Sequence, residues 1–256
     1  MTHSTVKKNN NFFVNVNREL FLKTSFLDTI HKRIINSPIS NEKTYVYSDL
    51  PYYFFKYFLE NKYNKSLDVI LKNTLLKKIG ANNTTYKPVD FFKKQRIVPS
   101  EIDLYFRQDT LRGYVHDMGA AMQGGIGGHA GIFSNSNDVA KIMQMFIQDG
   151  NYGDQIFFSK STIDYFNKCY YCEKGNRRGL GFDKPQIDDS SPTCGCVPMS
   201  SFGHSGFTGT YAWADPENQI VYIFLSNRTY PSMENNKLSN NNIRTEIQRV
   251  IYNSLK

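Results

Sequence analysis

The sequence predicts an α+β fold, on three observations. Helical spacing dominates up to about residue 170, the stretch 201–226 alternates in the manner of antiparallel strands, and one more helical segment closes the chain. Helices first, then a meander, then a terminal helix suit an antiparallel sheet flanked by helices, with a helical lobe attached.

Residues 1–16 are polar and weakly patterned, an expected lead-in to a domain over 17–256. Its helical lobe is expected over about 17–135, and its sheet with flanking helices over about 136–256. A helix is predicted over 17–36 from the spacing of Leu20, Leu22, Phe26, Ile30 and Ile34, with Pro38 just past its end. The next runs from Leu50 to Asn61, with Ser48 or Asp49 as N-cap and Pro51 in its first turn. Another spans about 66–79 and stops at Gly80. Residues 82–115 read as irregular and 119–131 as a small-residue loop; five glycines within 124–131 mean backbone packed close to something. Helices follow over 136–148, capped by Ser136 or Asn137, and over 160–170. Strands are expected at 179–182, 201–207, 210–215 and 219–226, with Asp215-Pro-Glu-Asn218 as a hairpin turn, and a last helix over 241–255.

At 256 residues, 40% of them hydrophobic, the chain can bury a core of its own. No apolar run approaches the ~20 residues of a membrane span, so none is expected. The first residues lack the apolar core of a signal peptide, which makes the chain cytoplasmic if Met1 is its true start. The net charge of +8 is uneven: residues 1–100 carry 17 Lys+Arg against 7 Asp+Glu, and the remainder 14 against 16. The lysines are spread along helical faces (Lys56, Lys62, Lys65, Lys72), which reads as solvated surface and argues against nucleic acid as a partner. Cys169-x-x-Cys172 and Cys194-x-Cys196 leave zinc, disulfides and free thiols open; disulfides would imply an oxidising compartment.

The run from Ser201 to Pro216 carries the strongest chemical signal. Glycines let a strand approach a ligand closely, and His204 and Ser205 beside Gly206 add groups that hold a carboxylate or pass a proton. Tyr47-Ser48-Asp49 is either a helix cap with a buried aromatic or a phenol aimed into a cleft as base or relay. The glycine-rich loop has no Gly-Lys-Ser/Thr and matches no dinucleotide fingerprint, so phosphate binding is disfavoured. His129 and His116-Asp117 have catalytic or ligating chemistry, although a lone His is more often structural.

In order, these elements are Tyr47-Ser-Asp49, Gly128-His-Ala-Gly-Ile-Phe-Ser134, Gly179-Leu-Gly-Phe182, His204-Ser-Gly206, and a strand ending in Asn227-Arg228 before a terminal helix. Over roughly residues 15–256 the set resembles the serine β-lactamase and penicillin-binding-protein family, nearest its class C-like hydrolases and esterases. The closest likeness is to the serine hydrolase domain fused in some bacteria to a glycoside hydrolase family three β-N-acetylglucosaminidase. The resemblance implies a β-lactamase/transpeptidase-like fold and acyl transfer on an ester or amide, cell-wall peptide being one candidate, with no metal or cofactor.

It also implies roles. Tyr47 matches the catalytic tyrosine of Tyr-x-Asn, with Asp49 in the place of Asn. His204-Ser205-Gly206 matches the Lys-Thr-Gly strand, the backbone N–H of Phe207 is half of an oxyanion hole, and His129 lines the substrate site. A histidine in place of lysine is charged only below about pH 6.5, which favours ester or amide hydrolysis over β-lactam-like carboxylate binding. The family nucleophile is the serine of Ser-x-x-Lys on a helix. Ser4-Thr-Val-Lys7 and Ser40-Asn-Glu-Lys43 fit that spacing, but neither sits in a pattern that makes a half-buried helix, and both are expected to be decoys. The chain therefore reads as the C-terminal part of such a domain, lacking the serine segment. Its expected partners are a small-molecule or peptide acyl substrate, the missing N-terminal segment and a fused glycosidase domain. Intact members of the family act in the periplasm or at the cell surface. The other reading is a non-catalytic chain of the same fold that binds a cell-wall ligand or partner.

Overall fold

A computed structural model describes residues 13–42, 44–186 and 192–255. The chain forms two compact units. The first joins the residues up to 73 with 85–133, and the second joins 74–84 with the residues from 134 onward.

In the first unit, β1 (Phe13–Asn15) and β2 (Phe21–Lys23) form an antiparallel hairpin, followed by α1 (Ser25–Ile35), α2 (Leu50–Tyr63) and α3 (Leu67–Leu71). A single π-helical turn, Lys72–Leu76, continues α3. Then come β3 (Thr85–Tyr86), β4 (Pro99–Asp103), β5 (Asp109–Arg112), α4 (Met118–Met122) and β6 (Ile132–Phe133); β3 pairs with β6 and β4 with β5. Val16, Val115, Ala120 and Ala121 make a small core, closed by Leu20, Leu22, Phe106 and Ala130. Beside it the fully buried Arg107 is ion-paired to Asp103 at 2.6 Å and donates to the carbonyls of Val115 and His116. One guanidinium thus ties the Asp103 side chain to the backbone at Val115 and His116.

The second unit contains α5 (Ser136–Ile147), the hairpin β7 (Asn151–Tyr152) and β8 (Gln155–Ile156), and α6 (Lys160–Asn167). Its main sheet is antiparallel in the order β11-β10-β9, built from β9 (Phe202–Ser205), β10 (Tyr211–Asp215) and β11 (Ile220–Phe224). The helices α7 (Lys237–Asn240) and α8 (Ile243–Asn253) end the chain. α5 packs on β10 and β11, burying Met143 and Ile147 against Phe202 and Ala214. On the other face Tyr211 stacks on Trp213, ring centroids 5.7 Å apart; such a pair contributes about 0.5–1.5 kcal/mol beyond its buried area. Asp215 makes the predicted turn by accepting from the amides of Glu217 and Asn218, and its second oxygen accepts from the Tyr252 hydroxyl at 2.5 Å, fastening α8 to the sheet.

Several expectations are corrected. The helix predicted over 17–36 begins only at Ser25. Asn17 folds the preceding residues into a turn by accepting from the amides of Glu19 and Leu20, so Leu20 and Leu22 belong to a hairpin. The irregular region 82–115 contains the β4–β5 hairpin, and the loop 119–131 overlaps α4, whose Ala120 and Ala121 are fully buried. Residues 179–182 are a tight turn, with the Gly179 amide donating to the Phe182 carbonyl at 2.9 Å. α5 is capped by Asn135, one residue earlier than predicted. The cysteines form two disulfides, Cys169–Cys172 and Cys194–Cys196, in place of a zinc site or free thiols. No described helix is long and apolar enough to cross a membrane.

Candidate active site

In the first unit, Tyr47 lies in irregular chain just before α2 and is 58% exposed. The Ser48 hydroxyl accepts from the Leu50 amide at 3.2 Å, while Asp49 occupies the cap position without bonding the helix through its side chain. The Asp49 carboxylate is instead grouped with Asp117 and His129, the ligating atoms of all three lying within 4.8 Å of one another.

His129 is the buried member of that group, its side chain 4% exposed, and its Nε2 is 2.8 Å from Asp117 Oδ1. The ring stacks on Tyr53, centroids 4.7 Å apart. The same Asp117 oxygen caps α4 by accepting from the Ala120 amide at 2.6 Å. Burial alone would raise the Asp117 carboxyl. Hydrogen bonds from His129 and Ala120, together with the charge of His129 and His116, outweigh it and hold the group below the usual carboxylate range. Burial first, then the charges of Asp117 and Asp49, push the Tyr53 phenol up to about 12, so it stays protonated. The negative charge of Asp49 is thus felt at Tyr53. Because His129 Nε2 already bonds Asp117, a metal ion among these three groups would have to displace that bond.

The glycine-rich loop explains why these parts fit. A Cβ on Gly128 would lie 2.2 Å from the Tyr52 carbonyl oxygen, and one on Gly127 would lie 2.8 Å from Ala120 Cβ. The loop is glycine-rich because it packs against the first turn of α2 and against α4.

In the second unit, His204 and Ser205 end β9, and Gly206 opens a turn in which its amide donates to the Thr210 carbonyl at 2.8 Å. A Cβ on Gly206 would lie 2.1 Å from Thr210 Oγ1, and one on Gly203 would lie 2.4 Å from the Trp213 ring. His204 Nδ1 is 2.7 Å from the Ser205 carbonyl oxygen, and Nε2 is 3.1 Å from Arg178 Nη1. A carbonyl only accepts and a guanidinium only donates, so these two contacts suit the tautomer with its proton on Nδ1 and the Nε2 lone pair toward Arg178. Arg178 is also ion-paired with the buried Asp183 at 2.8 Å, and Asp183 Oδ2 lies 4.0 Å from His204 Nε2. The segment holding Asp183 pairs with β9 at Gly203. Next in the turn, Phe207 is 61% exposed, and its carbonyl accepts from Arg228 Nε at 2.8 Å while the guanidinium lies 4.5 Å from the Phe207 ring centroid.

Within each unit, then, predicted residues converge: Asp49 with His129 in the first, and His204, Ser205, Gly206 and Phe207 along one strand end in the second. Tyr53, Arg178 and Asp183 were not anticipated from sequence. The available signals were the tyrosine one helical turn after Asp49 and the arginine directly before Gly179. Ser40 lies in exposed irregular chain, its hydroxyl accepting from the Glu42 amide at 3.1 Å. Ser4 lies outside the described residues.

Comparison with known proteins gives consistent results. The family described as Beta-lactamase matches residues 17–243. A putative D-alanyl-D-alanine carboxypeptidase of Escherichia coli K12 is 31% identical over 199 residues, covering 73% of this chain and 45% of the relative. One of Salmonella enteritidis PT4 is 30% identical over 210 residues, covering 77% and 48%. The chain spans about half the length of these curated relatives. Among solved structures, a LovD9 mutant of simvastatin synthase from Aspergillus terreus aligns with a TM-score of 0.59 at 13% identity, over 91% of this chain and 61% of that one. The hydrolase EstCE1 aligns with a TM-score of 0.50 at 16% identity, over 72% and 51%. At such identities the likeness is one of fold.

Proposed function

This chain belongs to the Beta-lactamase family, and from that membership we propose that it is part of a serine acyl-transfer hydrolase acting on amide or ester bonds of cell-wall-peptide-like substrates. The observation that carries this reading is the contact of Arg178 with His204 on β9. The strand motif that elsewhere in the family begins with lysine begins with histidine here, and the guanidinium bonded to that histidine, although ion-paired with Asp183, brings cationic donors to the same strand end. A guanidinium presents paired donors suited to a carboxylate, which supports a peptide with a free C-terminus as substrate.

In the proposed reaction a serine oxygen attacks the carbonyl carbon, and its proton passes by way of the lysine of Ser-x-x-Lys and the Tyr47 phenol to the leaving amine or alcohol. The Phe207 N–H steadies the oxyanion, and water then releases the acyl group. Asp49, at the start of α2 and two residues after Tyr47, lies close to Asp117 and His129. Neither Ser4 nor Ser40 is the nucleophile in this reading; the Ser-x-x-Lys serine comes from a segment beyond these residues. Two disulfides support action in an oxidising compartment, as in periplasmic or surface-exposed relatives.

The test combines intact mass after incubation with a fluorophosphonate and calorimetry with a peptide ending in D-alanyl-D-alanine. The expected result is no adduct on the folded 256-residue chain together with measurable peptide binding. An adduct mapped to Ser4, Ser40 or Ser205 overturns the assignment of the nucleophile. Absence of both adduct and binding overturns the substrate class. The other reading, a chain that binds cell-wall ligands without catalysis, is favoured by Asp49 in place of asparagine. It gains support if joining a Ser-x-x-Lys segment to the chain restores no hydrolysis.

A further inference from the structure

Away from the residues discussed so far, the second unit has a cavity of about 370 Å³ beside α6 and the Cys169–Cys172 disulfide. Lys184 is part of its wall and is only 5% exposed. Its Nζ donates to Asn167 Oδ1 at 2.9 Å and to the Ser200 carbonyl at 3.0 Å, and both of those residues also line the cavity. The ammonium therefore sits at the cavity wall with two of its three protons engaged. The Phe202 ring, 5.8 Å away, is its other favourable neighbour.

Among the described residues no carboxylate lies within 4.0 Å of Lys184 Nζ. Asp164 on the rim is exposed and bonded to Lys160 at 3.3 Å, and the Lys168 ammonium on the rim lies over the Tyr170 ring. A buried charge without a counter-ion is unfavourable unless a partner is supplied. Burial accordingly pulls the Lys184 ammonium down to about 8.

We propose that this cavity binds a small carboxylate, whose charge lies against the Lys184 ammonium and completes its hydrogen bonding. One buried ammonium with one remaining proton, and no carboxylate of the described residues within reach, suits a monoanion; the exposed Lys168 ammonium already lies over the Tyr170 ring. Inorganic phosphate carries roughly 1.5–2 negative charges at and above neutral pH, as a phosphoryl group does, more than one ammonium offsets. The ligand binds the ammonium form and not the neutral amine, so by linkage it raises the pH at which Lys184 titrates, and binding weakens as pH rises through that midpoint. The inference does not depend on the acyl-transfer reading.

The test is NMR titration of the Lys184 13Cε resonance in protein labelled with 13C-lysine, assigned through the backbone, in sodium chloride, sodium acetate and sodium phosphate at equal ionic strength. The expected result is a midpoint near 8 in chloride, moved up by about one pH unit in saturating acetate, which corresponds to a tenfold preference of the anion for the ammonium form. Lys168 should not move. An unmoved Lys184 midpoint in acetate overturns the proposal, as does an equal shift in all three salts or a shift in phosphate alone. K184M should bind no acetate by saturation-transfer NMR. If that variant fails to fold, the titration of the unmodified chain decides.

Discussion

Arg178 Nη1 lies 3.1 Å from His204 Nε2, across 26 residues of sequence, and with the Ser205 carbonyl at Nδ1 this contact suits the tautomer protonated on Nδ1. The 15Nδ1 and 15Nε2 chemical shifts of His204 should show that tautomer directly at pH 7.5. In R178M the fixed partner of Nε2 is gone and the tautomers should mix.

The same arginine is the counter-ion of Asp183, which is 4% exposed. R178M should destabilise the protein by about 1–3 kcal/mol, the cost of a buried carboxylate left without its partner, reduced because the guanidinium itself is partly in water. R178M/D183N should recover most of that loss. Urea midpoints of the wild type, both single variants and the double variant measure the coupling. R178M should also weaken binding of a carboxylate-ended peptide by roughly 10-fold or more, the share of one charge-assisted hydrogen bond.

Asp117 caps α4 and bonds His129, and its carboxyl is held below the usual range. A carboxyl lowered in the folded state stabilises it at any pH above the unfolded value of about 3.9, and that contribution disappears as pH falls through the lower folded value. The urea midpoint of the wild type should therefore fall between about pH 5 and pH 2, and D117N should flatten that fall. At pH 7, D117A should cost about 0.5–2 kcal/mol through the lost cap alone.

Gly128 and Gly153 offer a contrast in mechanism. G128A drives a methyl group to 2.2 Å from the Tyr52 carbonyl and should cost about 1–3 kcal/mol or more through overpacking. G153A meets nothing within 4 Å but must hold φ near +55°, so about 1–2 kcal/mol of backbone strain is expected. Thermal midpoints of the two variants should fall in that order.

Each disulfide closes a very short loop, Cys169–Cys172 and Cys194–Cys196. On loop-entropy grounds each should contribute about 2 kcal/mol or less. Chemical denaturation with and without dithiothreitol should show a lowered midpoint under reduction, and C169S/C172S should reproduce about half of the change.

The parts of the fold legible in the sequence are those where local chemistry and tertiary packing agree. The β10–β11 hairpin combines short apolar runs rich in aromatic and β-branched residues with an Asp215 turn, and α5 combines a helical stripe with a cap, so the reading of both agrees with the structure within a residue or two. The β4–β5 hairpin was missed because its pattern is inverted: Glu101 and Asp103 are buried while Ile102 and Leu104 are exposed. Asp103 is matched by the buried Arg107, and Glu101 lies 3.2 Å from His116 Nε2; neither partner has a local signature. The helical spacing of Leu20 and Leu22 was overridden by one side chain, Asn17. At the candidate site the His204 strand and Asp49 stood out by residue type and order. Arg178 became visible only once the chain brought Asp183 alongside β9.

The chain passes between its two units three times, near residues 73, 84 and 133. No single cut therefore separates the halves, and neither can be produced as an uninterrupted piece. The segment 74–84 leaves the ribosome well before its partners. Asp138, which accepts from the Asn83 amide and the Thr84 hydroxyl, and Lys141, which donates to the Gly80 carbonyl, follow some tens of residues later. During synthesis the segment 74–84 is made before α5, its partner in the second unit. That interval is when the nascent chain is most open to a protease or to a wrong partner.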